Sequence, residues 1–170
     1  MNPVSLSLHE SRASERRSAT VAREDTDDVP PAGAELDPAW QRLWFSMLDT
    51  PWNSLAIVPA DEAVPFNRVG DIVVAMGQEH GERSIQLIDA RGVRMTDVHG
   101  IVEAIRVAGR DSRVVTVVDS LWRSPAAMHI ARVTSAALVV ARIGGSRVDT
   151  AKATVLAIGP QRVLGAVALI

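Results

Sequence analysis

Two short runs, RVVTVV at Arg113–Val118 and AALVVA at Ala136–Ala141, constrain this chain more than any other feature. Both are apolar at almost every position, and both are rich in β-branched or small residues. A strand with one wet face alternates apolar and polar side chains, so an unbroken apolar run indicates a strand buried on both faces. Such a strand needs helices above and below its sheet.

The surrounding pattern supplies them. Ser54–Val58 and Ser84–Ile88 read as further strands, and 162–169 as a last one. Helices are expected over 65–80, with Phe66, Val69, Val73 and Met76 on one side, and over 96–108, with Val98, Ile101, Val102 and Ile105 in register. A short helix is expected around 125–134, and another over 147–158 carries Val148, Ala151, Val155 and Ile158. Ahead of the first strand, Asp37-Pro38 is a good helix start. Trp40, Leu43, Trp44 and Met47 then form one apolar stripe, and Thr50-Pro51 ends it. The expected fold over 37–170 is α/β: a doubly wound, mainly parallel five-stranded sheet with helices on both faces.

Residues 1–36 read differently. They hold few large apolar side chains, and four Arg face seven Asp and Glu, a net charge of −3. Burial there cannot offset the entropy of ordering, so a disordered, solvated tail is expected.

Composition excludes several chemistries. The chain has no cysteine, so disulfides, thiolate catalysis and cysteine-ligated zinc are ruled out. A net charge of −2 over 170 residues gives no reason to expect nucleic-acid binding. No apolar run reaches the roughly 18 residues that span a bilayer, and the first residues lack the pattern of a secretory signal. A cytoplasmic protein without direct membrane insertion is expected. His80, His99 and His129 have no ligand spacing, and His9 lies in the tail, so no metal site is expected. Ser120 and Ser124 lack a nucleophile elbow.

In doubly wound folds, ligands sit at the carboxyl ends of the strands. Here those ends carry Asp61 and Glu62, then Asp89, then Asp119, then Arg142-Ile143-Gly144-Gly145. An aspartate closing an apolar strand is a common Mg²⁺ or water ligand in nucleotide hydrolases. The alternative is that Asp89 and Asp119 cap a helix or pair with Arg91, Arg94 or Arg123. The Gly-Gly turn could cradle a phosphate at the next helix, or simply make a tight turn. Four tryptophans beside two phenylalanines and no tyrosine suggest an interface. Trp40 and Trp44 are expected to pack the first helix on the domain. Trp122, in the polar DSLWRSP loop, is the favoured contact residue.

Over about 38–170 this layout resembles the cytoplasmic kinase domain of the bacterial tyrosine kinases of capsule and exopolysaccharide systems, and more broadly the Min/Par-type ATPases. The order and spacing of motifs carry the resemblance: AWQRLWFSML before the first strand, LIDARG and VVTVVDS closing later strands, and the tail ALVVARIGGSRVDTAKATVLAIGPQRVLGAVAL. By the resemblance, Asp89 stands at the first position of an Asp-x-Asp motif and Asp119 at the Walker B position. Arg91 replaces the second carboxylate of Asp-x-Asp.

The loop from Pro59 to Arg68 stands at Walker A and matches it almost nowhere. Walker A works because glycines let successive N–H groups curl around phosphate while Lys neutralises it. No glycine lies between Leu55 and Gly70, and the chain's only lysine is Lys152. Pro59 and Pro65 each lack an N–H, and Asp61 and Glu62 would repel a triphosphate. Each loss is worth on the order of a kcal/mol or more. Arg68 could offer a charge, but from within the helix. A degenerate nucleotide site of Asp61, Glu62, Arg68, Asp89 and Asp119 is therefore expected, with no catalytic residue and no cofactor. The family's tyrosine phosphorylation has no acceptor in a chain without tyrosine.

The resemblance thus implies a pseudo-ATPase, an accessory or regulatory protein of exopolysaccharide biosynthesis or export that acts through protein contacts. Its partner would be a catalytic homologue or the cytoplasmic tail of a membrane polysaccharide co-polymerase, which could recruit it to the inner membrane face. Self-association is left open. Two alternatives stand beside this: a divergent ATPase or kinase using ATP and Mg²⁺, and a Min/Par-type positioning protein.

Overall fold

The structure is a computed structural model and describes residues 38–169 except Ala63, Pro65 and Asn67. The tail expected over 1–36 lies outside the described residues, as does the helix-starting Asp37. The elements follow in order: α1 (Pro38–Leu48), β1 (Ser54–Pro59), α2 (Val69–His80), β2 (Ile85–Asp89), α3 (Val98–Ala108), β3 (Arg113–Val117), α4 (Pro125–Val133), β4 (Ala136–Arg142), α5 (Val148–Ile158) and β5 (Val163–Leu169). The strands form one five-stranded sheet in the order β2-β3-β1-β4-β5. All four pairings are parallel, including the central β1, whose Leu55 faces Val115 of β3 on one side and Ala136 of β4 on the other.

Alternation along β1 divides the core into two layers. Leu55 and Ile57 point to the face covered by Trp44 and Met47 of α1 and by Val69, Val73 and Met76 of α2. Ala56 and Val58 point to the face covered by α3, α4 and α5, through Ile105, Ile130 and Ile158 among others. All six residues of β1 are buried, which is what the unbroken apolar run required. Burying each large side chain contributes roughly 1.5–3 kcal/mol.

Glycine brings α2 close to the sheet. A Cβ at Gly70 would lie 2.6 Å from Cγ2 of Val117, and one at Gly77 would lie 2.7 Å from Cδ1 of Ile85 and 2.8 Å from the Trp44 ring. These two positions, seven residues apart, face the same way on the helix.

α2 begins at Val69, four residues later than the expected 65. The N–H of Phe66 donates to the carbonyl of Val64 at 3.0 Å, a tighter turn than a helix makes. Val64 is 5 % exposed, and Phe66 packs against the same core. Phe66, which suggested the longer helix, thus reaches the core from the loop.

At the opposite end of the sheet, the Trp44 and Trp52 rings meet edge to face, with centroids 6.1 Å apart. The guanidinium of Arg113 lies 4.9 Å from the Trp52 ring and 5.7 Å from that of Trp44. Burial, then the neighbouring Arg83, lowers its pKa. Among the described residues no helix is long and apolar enough to cross a membrane.

Candidate functional site

The connection after β1 runs to α2 on one face of the sheet, and that after the adjacent β4 runs to α5 on the other. The crevice that this reversal opens at the carboxyl ends is where ligands of such sheets bind. Along the carboxyl ends of the strands lie Asp89, Arg91 and Gly92 after β2, Asp119 and Trp122 after β3, and the loop leaving β1, with Thr154 of α5 beside it.

That loop turns inward. The N–H of Ala60 donates to Val140 at 2.7 Å, that of Phe66 to Val64 at 3.0 Å and that of Val69 to Phe66 at 3.0 Å. These three backbone donors are spent on the chain itself. Asp61 is half-buried and Glu62 exposed. Arg68 is half-buried at the cap of α2 and makes no side-chain cap there.

Asp89 and Asp119 both end up beside the segment that follows β2. Arg91 grips Asp89 with a two-pronged contact, Nε to Oδ1 at 2.8 Å and a terminal nitrogen to Oδ2 at 2.6 Å. The Arg91 N–H adds a third bond to Oδ1 at 3.0 Å. One residue on, the N–H of Gly92 donates to Oδ2 of Asp119 at 2.6 Å. Gly92 has φ of +68°, which turns the chain back toward β3 and which other residues adopt only with strain.

The electrostatics follow. The Arg91 hydrogen bond holds the Asp89 carboxyl below its ordinary value, against an opposing effect of burial. In return Asp89 raises the Arg91 pKa, first by that hydrogen bond, and the charges of Asp119 and Asp71 add to it. A guanidinium thus sits among three carboxylates at the carboxyl ends of β2 and β3. The pair is partly exposed, at 37 % for Arg91 and 50 % for Asp89, so its own contribution to stability is about 1 kcal/mol at most. Among the described residues no group of three or more His, Asp or Glu side chains is arranged to hold a metal ion.

Over the crevice, Nε1 of Trp122 donates to Oγ1 of Thr154 at 3.0 Å, and Thr154 donates to the carbonyl of Ala60 at 3.2 Å. Thr154 is fully buried, whereas Trp122 is 54 % exposed. The relay ties α5 to the end of β1 and fixes the indole of Trp122 beside them. Trp44 is 1 % exposed and belongs to the core, while Trp40 is half-buried on the same helix. Ser124 caps α4 by accepting from Ala127 at 3.2 Å.

The Gly144-Gly145 turn also closes on itself. The N–H groups of Gly145 and Ser146 both donate to Arg142, at 3.2 and 2.9 Å, and Ser146 Oγ accepts from the Arg142 N–H at 2.9 Å. Gly144, with φ of +74°, makes that bend.

Sequence reasoning did not single out Thr154, Val64 or Arg113. Thr154 sits in KATVLAI, where one hydroxyl among apolar residues gives no sign of what it faces. No protein-family model matches this chain, and no curated protein does either.

Proposed function

We propose that this domain is a non-catalytic, pseudo-ATPase-like accessory protein that works through protein contacts. The observation that carries the proposal is the engagement of both strand-end carboxylates by the chain itself, Asp89 by Arg91 and Asp119 by the Gly92 N–H. A Mg²⁺ ion at this place would have to break the Arg91 fork and sit against a guanidinium. A triphosphate would meet Asp61 and Glu62 and find the Ala60 and Phe66 N–H groups already bonded. These residues do not fit a Mg²⁺-nucleotide.

What remains is a contact surface. Trp122 combines an exposed ring with a pinned indole N–H, so little side-chain entropy is lost when a partner covers it. From the resemblance, the system is exopolysaccharide biosynthesis or export. The partner is a catalytic homologue or the cytoplasmic tail of a polysaccharide co-polymerase.

The test is sedimentation of the full chain mixed with the catalytic domain of a bacterial tyrosine kinase of an exopolysaccharide system, with and without ATP. The proposal expects a complex that alters the kinase's assembly and that Trp122→Ala weakens about tenfold or more, a hot-spot-sized loss. A complex indifferent to Trp122, or turnover of ATP by this chain alone, would overturn it.

A further inference from the structure

The three most exposed large apolar side chains among the described residues are Leu156, Val148 and Ile143, at 70, 66 and 63 %. All three line one groove of about 660 Å³ between α5 and the edge strand β5. Its floor is Val139 and Ala141 of β4 with Ala166 and Ala168 of β5. The groove exists because α3 packs on β3, α4 on β1 and α5 on β4, which leaves this face of β5 without a helix of its own. Both β5 alanines are exposed. Small floor residues let a backbone come close, while Val148 and Leu156, eight apart on α5, stand as a wall.

The groove's polar lining is one-signed. Arg142, Arg147 and Lys152 border it, and among the described residues no carboxylate does. None of the three makes an ion pair among the described residues. That pattern selects among occupants. A second copy docked groove to groove would bring two sets of three cations together over an apolar seam, which like-charge repulsion opposes. The chain's own residues 1–36 carry seven carboxylates, but of their few large apolar side chains Val4, Leu6 and Leu8 are set at alternate positions rather than at helical spacing, and four Arg dilute the charge.

We infer that this groove receives an amphipathic helix of another protein, with a Leu- or Val-rich stripe flanked by Asp or Glu. The apolar stripe covers Ile143, Val148, Leu156 and the alanine floor, as another helix beside α5 would. The flanking carboxylates meet Arg142, Arg147 and Lys152. Packing a helix at the usual 8–10 Å from α5 completes the layer over β5. This rests on the reading that the domain acts by contact. Nucleotide binding would defeat that reading and leave the groove measurement unchanged, so the two failures are distinguishable.

The probe is a synthetic 18-residue amphipathic helix with a leucine stripe flanked by glutamates, with a control carrying lysines in their place. The readout is the alanine-methyl NMR spectrum of the full-length protein. The glutamate peptide should shift Ala141, Ala151, Ala166 and Ala168 and saturate. Arg147→Glu with Lys152→Glu should weaken it about tenfold, and raised salt several-fold. Both positions are exposed, so an unchanged methyl spectrum in the free variant verifies its fold. The lysine peptide should not bind. Binding of neither peptide, equal binding of both, or shifts away from these methyls overturns the inference. Binding only after removal of residues 1–36 assigns the groove to the chain's own segment and overturns it too. So does a dimer in sedimentation that Leu156→Glu dissociates.

Discussion

Arg91 holds Asp89 through two parallel hydrogen bonds of 2.8 and 2.6 Å, so the carboxylate that closes β2 is committed to a side chain two residues away. The contact is partly solvated and contributes little to stability. Its consequence is local: it engages both oxygens of the carboxylate and sets a positive charge beside it.

The Asp89 carboxyl should therefore titrate below the ordinary aspartate range when followed by carbon NMR, and Arg91→Ala should raise it, because the hydrogen bond that lowers it is lost while the opposing effect of burial stays. The sign follows from linkage. Because the folded pKa is depressed, the pair's small stabilisation is present above the unfolded pKa and is lost as pH falls through the folded value. Acid unfolding of Arg91→Ala should accordingly show a slightly flatter limb below about pH 4. An Asp89 titration unmoved by Arg91→Ala would contradict the pairing.

Gly77→Ala should destabilise the domain by about 1–2 kcal/mol in urea titrations with an unchanged slope. The added methyl meets Ile85 at 2.7 Å and the rigid Trp44 ring at 2.8 Å. Overpacking of that kind costs about 1–3 kcal/mol, and the gain in helix propensity offsets up to about 1. A neutral or stabilising result would mean that α2 can shift away from α1 and β2.

Thr154→Val keeps the shape and removes the hydroxyl that links Trp122 to the Ala60 carbonyl. Leaving that carbonyl short of a donor should cost about 1–3 kcal/mol. The Trp122 ring should also lose its fixed position. Tryptophan fluorescence anisotropy in a variant retaining only Trp122 reports on it, and should fall. Unchanged anisotropy would show that the ring is held by something else.

Trp44→Ala and Trp122→Ala should separate core from contact surface. The first empties a fully buried site and should cost about 3–5 kcal/mol. The second should cost about 1 kcal/mol or less, since the ring is largely exposed, yet impair partner binding. Equal losses of stability would place Trp122 in the folding core.

Much of this architecture was legible in the residues. The runs RVVTVV and AALVVA became β3 and β4, buried as their lack of alternation required, and the helices after 96 fell within a few residues of their expected limits. Asp37-Pro38 pointed to a helix, and α1 starts at Pro38. The exception was the loop after β1. There Phe66 continues the helical spacing of Val69, Val73 and Met76, yet it packs against the core from the loop before α2, because apolar periodicity reports burial and not backbone conformation. At the site, the strand-end positions of Asp89 and Asp119 were readable, and Arg91 was among the partners considered for them. The Gly92 N–H on Asp119 and the Thr154 relay were not readable, since backbone donors and a lone buried hydroxyl leave no pattern in a sequence. The groove beside β5 was equally silent, because an apolar side chain reads the same whether covered or bare.

The central claim is the proposal that the carboxyl ends of β1, β2 and β3 do not grip a nucleotide. Amide NMR of the full-length protein titrated with ATP and Mg²⁺ tests it most directly, read at Ala60, Arg91, Gly92 and Asp119. The account predicts no saturable shift up to millimolar nucleotide. Saturation in the micromolar range, abolished by Asp119→Ala, would contradict it.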